Sequence, residues 1–169
     1  MKTKFVTNTA LGIALFTVAS LILQIPFFQN YYLCMGYIVM AVYTYFFGGW
    51  CGALVGAVGT LLYCLIIGHM GGVIGWMGGN MLMAFILAFT FKHTADMKNQ
   101  TVKIVIWVLA MVVAAFLGIV GVKSLSETIL FANPLLVRMA KNFYAFLGDA
   151  FTLILSIPVI LLIDKVRSR

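Results

Sequence analysis

The sequence contains very few charged residues, and acidic residues are the scarcest of them. Only 9% of the 169 residues are charged, and only four are Asp or Glu. A soluble globular domain carries charge on about a quarter of its residues, so this composition excludes an ordinary soluble fold. The chain is instead 64% hydrophobic, with a mean hydropathy of +1.13. We therefore expect one integral membrane domain over residues 1–169.

Motifs for catalysis and nucleotide binding are also missing from the sequence. It has no P-loop, no dinucleotide fingerprint, no HExxH zinc motif and no nucleophile set beside a base. Its three cysteines, Cys34, Cys51 and Cys64, lack CxxC or metal-type spacing, and we interpret them as small buried hydrophobes. We predict no enzymatic activity, no metal and no cofactor. Any energy source must then be a gradient or another polypeptide.

Apolar stretches occupy most of the chain. A membrane-spanning helix needs roughly 20 apolar residues, and six candidate spans lie at residues 5–25, 31–47, 50–68, 73–91, 102–122 and 142–163. Pro26, Gln29 and Asn30 break the chain after the first span, and Gly48 starts a tight turn after the second. The pattern predicts an all-α bundle of six transmembrane helices. Its longest connector would cover 123–141, with the segment LLVRMA as a helix lying at the membrane surface.

The distribution of basic residues predicts the orientation, because cytoplasmic loops are enriched in Lys and Arg. If both termini are cytoplasmic, the outer side holds three basic residues and the inner side eight. The outer residues are Lys123, Arg138 and Lys141; the inner ones are Lys2, Lys4, Lys92, Lys98, Lys103, Lys165, Arg167 and Arg169. We therefore place both termini in the cytoplasm. The net charge of +7 then faces anionic lipid of the bilayer, and we expect no nucleic-acid partner.

Small residues recur at helical spacing in two places. Gly48, Gly52 and Gly56 form a ladder that lets another helix approach closely. The ladder fits packing within the chain and docking to a second membrane subunit equally well. A shorter group, Ala10, Gly12 and Ala14, lies in the first span and is a weaker candidate for docking a partner.

Polar and aromatic residues are predicted to gather at the outer ends of the helices. His69, Trp76 and Asn80 occur around spans three and four, and Tyr31, Tyr32 and Tyr37 lie nearby in the sequence. The aromatic rings suit either a ligand pocket or an interfacial belt. For Asn80, ligand binding and hydrogen bonding between helices remain equally open.

The start of the last span carries Lys141, Asn142 and Asp149. At ~100° per residue, Asn142 and Asp149 fall within about 20° of each other on the helix. A carboxylate inside a span costs on the order of 3 kcal/mol to insert, so Asp149 should face the bundle and find a partner there. A polar latch between helices and a ligand or ion site are both compatible with this pattern.

Taken together, these segments resemble the substrate-binding S components of energy-coupling factor (ECF) vitamin transporters over essentially the full chain. The resemblance rests on ALGIALFTVAS in the first span, YIVMAVYTYFFGGWCGALVGAVGTLL across the second and third, and AKNFYAFLGDAFTLILSIPVILLIDK at the end. Members commonly carry an alanine AxxxA step in the first helix, which Ala10 and Ala14 match.

The resemblance implies a high-affinity capture subunit in a prokaryotic plasma membrane. Such a subunit binds a vitamin outside and docks on a transmembrane coupling subunit with two ATPases, which hydrolyse the ATP. By the same implication, Ala10, Gly12 and Ala14 would slide against the coupling subunit. The vitamin would lie near the outer side, at the positions of His69, Trp76, Asn80, Lys141, Asn142 and Asp149.

The ligand expected at this stage is a small B-type vitamin or a precursor. Lys141 would suit the carboxylate of pantothenate, and Trp76 with the tyrosines would suit pyridoxine or hydroxymethylpyrimidine. Riboflavin is less expected, because the segments show little flat aromatic surface. The alternative function is a stand-alone secondary carrier or channel in which Asp149 binds a coupling ion. A scaffold protein that binds no small molecule is a third reading.

Overall fold

Helices make up almost all of the architecture. The computed structural model describes residues 2–28 and 31–167. In chain order, the elements are α1 (Lys2–Ile22), β1 (Gln24–Phe28), β2 (Tyr31–Cys34), α2 (Gly36–Phe47), α3 (Gly49–Ile67), α4 (Val73–His93), α5 (Gln100–Ala115), a π-helical segment (Phe116–Lys123), α6 (Ser124–Phe131) and α7 (Leu135–Arg167). The all-α membrane class is thereby confirmed. Gln29, Asn30 and Arg169, used above for a chain break and for the charge distribution, lie outside the described residues, as do the side chains of Lys2 and Tyr31.

Within residues 2–28 and 31–167, five helical stretches are long and apolar enough to cross a membrane. They are Thr3–Ile22, Gly49–Ile67, Val73–His93, Gln100–Phe131 and Leu135–Arg167. The helix α2 has 12 residues, so at 1.5 Å per residue it is about 18 Å long, short of a hydrocarbon core of about 30 Å. The span predicted at 31–47 is therefore only a short helix preceded by a strand.

A β-hairpin takes the place of the end of the first predicted span and the start of the second. Strands β1 and β2 pair antiparallel, with Ile25 opposite Leu33 and Pro26 opposite Tyr32. The residue before a proline is disfavoured in helical conformation, and proline lacks the N–H that a helix interior needs. Pro26 thus explains why α1 ends at Ile22 and not near residue 25. We call the end of the bundle that carries this strand pair the hairpin end.

The long connector predicted over 123–141 is mostly helix. The helical stretch from Gln100 continues through the π-helical segment to Phe131, and α7 already begins at Leu135. Residues 132–134 alone lie between them, with Ala132 in a left-handed conformation at φ 51°. The segment LLVRMA is the start of α7 and not a separate surface helix. The polar residues around this segment are typical of a connector, but several of them lie within helices and pair with one another across α6 and α7, as described below.

The small residues pack α3 against its neighbours within the chain. An added Cβ at Gly56 would lie 2.5 Å from Met40 Sδ, one at Gly59 would lie 2.5 Å from Phe16, and one at Gly52 would overlap Thr44. These three positions therefore face other helices of the same bundle, and such close approach is a main source of packing energy in lipid. Gly48 belongs instead to the turn between α2 and α3, with φ 89° and no atom within 4 Å of an added Cβ.

The small residues of α1 divide between two faces. Gly12 is buried, and an added Cβ there would lie 2.6 Å from Val55 and 2.7 Å from Tyr43. Ala10 and Ala14 are exposed on the opposite side of the helix. Gly12 therefore belongs to internal packing, and its inclusion in a docking surface was wrong.

A close contact between two backbones joins α4 to the π-helical segment. An added Cβ at Gly79 would lie 2.5 Å from the carbonyl oxygen of Gly118, and one at Gly118 would lie 2.8 Å from that of Gly79. Both neighbouring atoms are backbone atoms, so they cannot move aside as a flexible side chain can. This contact fixes the position of the segment that leads into Lys123.

We predict that Gly79→Ala destabilises the protein, because the new methyl group meets the Gly118 backbone. Overpacking of this kind costs about 1–3 kcal/mol, and the midpoint of thermal unfolding in detergent should fall by a few degrees. Gly121→Ala in the same segment is the control, because an added Cβ there has no atom within 4 Å. Equal stability of the two variants would show that the Gly79–Gly118 contact is not tight.

Candidate functional site

One cavity of about 450 Å³ lies at the hairpin end. Its volume is within the roughly 300–1,000 Å³ that small-molecule sites occupy. The walls come from α1, β2, the α3–α4 region, the end of the π-helical segment and α7. The lining residues are Ser20, Tyr32, Leu33, Cys34, Tyr63, Ile67, His69, Gly71, Trp76, Lys123, Ala145 and Asp149.

The structure brings together three of the six predicted ligand residues. His69, Trp76 and Asp149 line the cavity. Asn80 and Asn142 are buried beside it and bond to other protein groups. Lys141 is exposed and does not belong to the cavity lining.

Asn80 is the centre of a hydrogen-bond network beneath the cavity. Its side chain is fully buried, and its Nδ2 donates to the carbonyl oxygen of Gly56 at 3.1 Å and to Thr60 Oγ1 at 2.6 Å. Its Oδ1 accepts a bond of 3.1 Å from the Tyr37 hydroxyl. The Trp76 Nε1 donates in turn to that hydroxyl at 2.6 Å. Asn80 therefore acts between helices and fixes the indole ring in the cavity wall.

Asp149 is the buried carboxylate of the cavity. It is 5% exposed, which agrees with the expectation that it faces the bundle. The carboxylate interacts with the Tyr37 hydroxyl and, through its charge, with Lys123. Since a tyrosine hydroxyl has one proton to donate, Asn80 and Asp149 compete for it. Asp149 is thus left with oxygen atoms that can accept hydrogen bonds from a ligand.

Lys123 is the most informative residue that the sequence analysis missed. It ends the π-helical segment, a helix form that occurs frequently at functional sites. Its side chain is 15% exposed, and its Nζ lies 5.3 Å from the centre of the Trp76 ring, within the range of a cation–π interaction. Lys123 falls at the start of the predicted connector 123–141, although its position at the end of an apolar stretch and four residues before Glu127 is a usable signal.

Asn142 belongs to a second polar cluster, next to the cavity. Its Nδ2 donates to Ser124 Oγ at 3.0 Å and to Glu127 Oε2 at 3.1 Å. Glu127 also lies 3.9 Å from Lys123 Nζ and 3.7 Å from Arg138 Nη1. Asn142 thus links α7 to α6, in the manner of the polar latch considered above.

The hairpin contributes one wall of the cavity, and it includes Tyr32, one of the tyrosines considered above for a pocket. Tyr32, Leu33 and Cys34 all line the cavity, and Cys34 Sγ lies 3.1 Å from Ser20 Oγ. Burial raises the pKa of the Cys34 thiol to about 12, so the thiol remains protonated. Within the described ranges, all three cysteines are free and buried, and no group of three His, Cys, Asp or Glu residues is arranged to hold a metal ion.

These residues give the cavity a defined chemical character. Trp76 and Tyr63 meet edge to face, with ring centres 6.0 Å apart. The cavity offers a cation at Lys123, an acceptor at Asp149 and a hydroxyl at Ser20. Such a site suits a ligand with a flat ring and a hydrogen-bonding edge.

Comparison with known proteins gave one finding. A family model described as "ECF-type riboflavin transporter, S component" matches residues 1–165. No match was found among the curated proteins or among the solved structures.

We predict that Asn80→Ala destabilises the protein and loosens the cavity wall. The substitution removes three hydrogen bonds from a fully buried site, among them the one that Asn80 donates to the buried Thr60 Oγ1, and a buried polar group that loses its partner costs about 1–3 kcal/mol. Thermal unfolding in detergent measures the loss. Asn133→Ala is the control, because the hydrogen bond that its Nδ2 donates to the Phe131 carbonyl oxygen is at an exposed site. Unchanged stability of Asn80→Ala would contradict the role given to the network.

Proposed function

Because the chain belongs to the family of ECF-type riboflavin transporter S components, we propose that riboflavin is the ligand of its cavity. Membership makes the chain a multi-pass protein of the cell membrane and a substrate-binding subunit of an ECF transporter, which associates with a coupling subunit and ATPases. The family is not an enzyme family.

The observation that carries the proposal is the family match over residues 1–165, and the cavity chemistry supports it. The isoalloxazine ring of riboflavin is flat, and one edge carries alternating hydrogen-bond acceptors and a donor. Trp76 and Tyr63 offer aromatic surface, and Lys123 and Asp149 offer a donor and an acceptor for such an edge. Tyr32 and Tyr63 supply the flat surface whose apparent scarcity argued against riboflavin in the sequence analysis.

The ligands expected from the sequence have less support. Lys141, the basis for pantothenate, does not line the cavity. Pyridoxine and hydroxymethylpyrimidine also have flat rings with polar edges, so they are compared directly with riboflavin in the test below.

We further propose that the hairpin end faces outward and that both termini are cytoplasmic, as the distribution of basic residues indicates. Ala10 and Ala14 then lie on an exposed face of α1, where small side chains let another helix approach closely. We assign the docking of the coupling subunit to this face, without the buried Gly12.

We predict that riboflavin quenches the tryptophan fluorescence of the purified chain saturably, and that Trp76→Phe weakens its binding by roughly tenfold, through loss of indole contacts worth about 1–1.5 kcal/mol. Trp50→Phe is the matched control, because Trp50 is 66% exposed and does not line the cavity. Titration with pantothenate, pyridoxine and hydroxymethylpyrimidine tests selectivity.

Saturable binding of one of those three compounds without riboflavin binding would overturn the ligand assignment. Gradient-driven uptake of a solute by the chain alone, reconstituted in vesicles and abolished by Asp149→Asn, would support a stand-alone carrier instead.

We predict that Ala14→Trp prevents co-purification with the coupling subunit and its ATPases while riboflavin binding is retained. The indole would hold the partner helix away from α1. Leu109→Trp serves as the control, because Leu109 is 61% exposed on α5. If Ala14→Trp still assembles with the module, the docking face lies elsewhere.

A further inference from the structure

We propose that Glu127, which does not line the cavity, is a positioning residue that holds Lys123 over the Trp76 ring. The inference rests on the proposed binding of riboflavin for its effect on affinity, and on the geometry of the ligand-free protein for everything else. It concerns the cluster formed by Glu127, Arg138, Asn142 and Lys123.

The carboxylate of Glu127 is buried where three helical elements meet. Its side chain is 8% exposed. One oxygen, Oε2, accepts from Asn142 Nδ2 at 3.1 Å and lies 3.7 Å from Arg138 Nη1. Both partners belong to α7, so this oxygen ties α6 to α7. The position of the carboxylate is therefore set by groups other than Lys123.

The second oxygen, Oε1, faces α4 and Lys123. An added Cβ at Gly72 would lie 2.5 Å from it, and Gly72 is the cap residue before the first turn of α4. The positive end of the α4 dipole favours a carboxylate at this place. Trp76 follows one turn later in α4. The contact with Gly72 therefore keeps the Glu127 carboxylate about one helical turn away from the indole ring along α4.

Glu127 attracts Lys123 electrostatically but does not accept a hydrogen bond from it. The distance from Nζ to Oε1 is 3.9 Å, which is too long for a hydrogen bond. The ammonium group therefore keeps its N–H donors for other acceptors, while the charge of Glu127 restrains where it lies. The same ammonium lies 5.3 Å from the Trp76 ring centre and interacts electrostatically with Asp149.

Lys123 is thus attracted by two carboxylates, those of Glu127 and Asp149. Asp149 attracts it into the cavity, and Glu127 attracts it toward the junction of α4, α6 and α7. Without Glu127, Asp149 would draw the ammonium away from the indole face. A ligand would then meet a Trp76 ring without the ammonium group over it, and an Asp149 carboxylate already paired with Lys123.

The test is a double-mutant cycle on riboflavin affinity with Glu127→Gln, Lys123→Met and the double variant. We expect Glu127→Gln to weaken binding roughly tenfold, within the range of coupling between contacting residues. In the Lys123→Met background the same change should have almost no further effect. An equal loss in both backgrounds would overturn the proposal, because Glu127 would then act independently of Lys123.

A second readout needs no ligand. The emission of Trp76, obtained as the difference from Trp76→Phe, should change in Glu127→Gln as it does in Lys123→Met. Asp96→Asn is the charge-matched control, because Asp96 is exposed in the turn after α4. An unchanged Trp76 spectrum in Glu127→Gln, with a changed one in Lys123→Met, would also overturn the proposal.

These two readouts separate the inference from the proposed function. If the wild-type chain does not bind riboflavin, the ligand assignment fails, and the Trp76 spectra still decide the role of Glu127. If Glu127→Gln does not fold, Glu127→Asp keeps the charge and shortens the side chain by one carbon. Its effect should be smaller than tenfold and should likewise disappear in the Lys123→Met background; persistence there would contradict positioning.

Discussion

The hydrogen bonds of Asn80 are the interaction on which the hairpin end of this protein depends. In a bilayer no water is available to satisfy buried polar groups, so each must find a partner inside the protein. Asn80 does this for α3 through Gly56 and Thr60 and for α2 through Tyr37. Because Tyr37 also accepts from Trp76, the same network sets the aromatic wall of the cavity. Fold and site are therefore held by one set of bonds.

The remaining walls are placed by contacts that bring distant parts of the chain together. The backbone contact between Gly79 and Gly118 fixes the π-helical segment on α4, and that segment ends at Lys123. Asp149 reaches the cavity from α7. The opposite, exposed face of α1 takes no part in this arrangement, which leaves it available for a partner subunit. The proposed ligand site and the proposed docking face are thus separate surfaces of the same bundle.

The sequence predicted those features of the fold that follow from hydrophobicity and from the helical period. It predicted most of the long spans, the inward direction of Asp149, and the position of Asn142 on the same helix face as Asp149. The same period also shows why Gly12 was misassigned, since two residues turn a helix by about 200° and place it opposite Ala10. The hairpin was missed because its strands are as apolar as a helix. Lys123 was missed because its partners, Trp76 and Asp149, are remote in sequence.

The central claim is that riboflavin occupies the cavity between the hairpin, α4 and α7. The most direct measurement is an experimental structure of the chain determined with riboflavin bound. The account predicts a flat ring against Trp76, with its polar edge within hydrogen-bonding distance of Lys123 and Asp149. Riboflavin bound elsewhere on the chain, with this cavity free of it, would contradict the account.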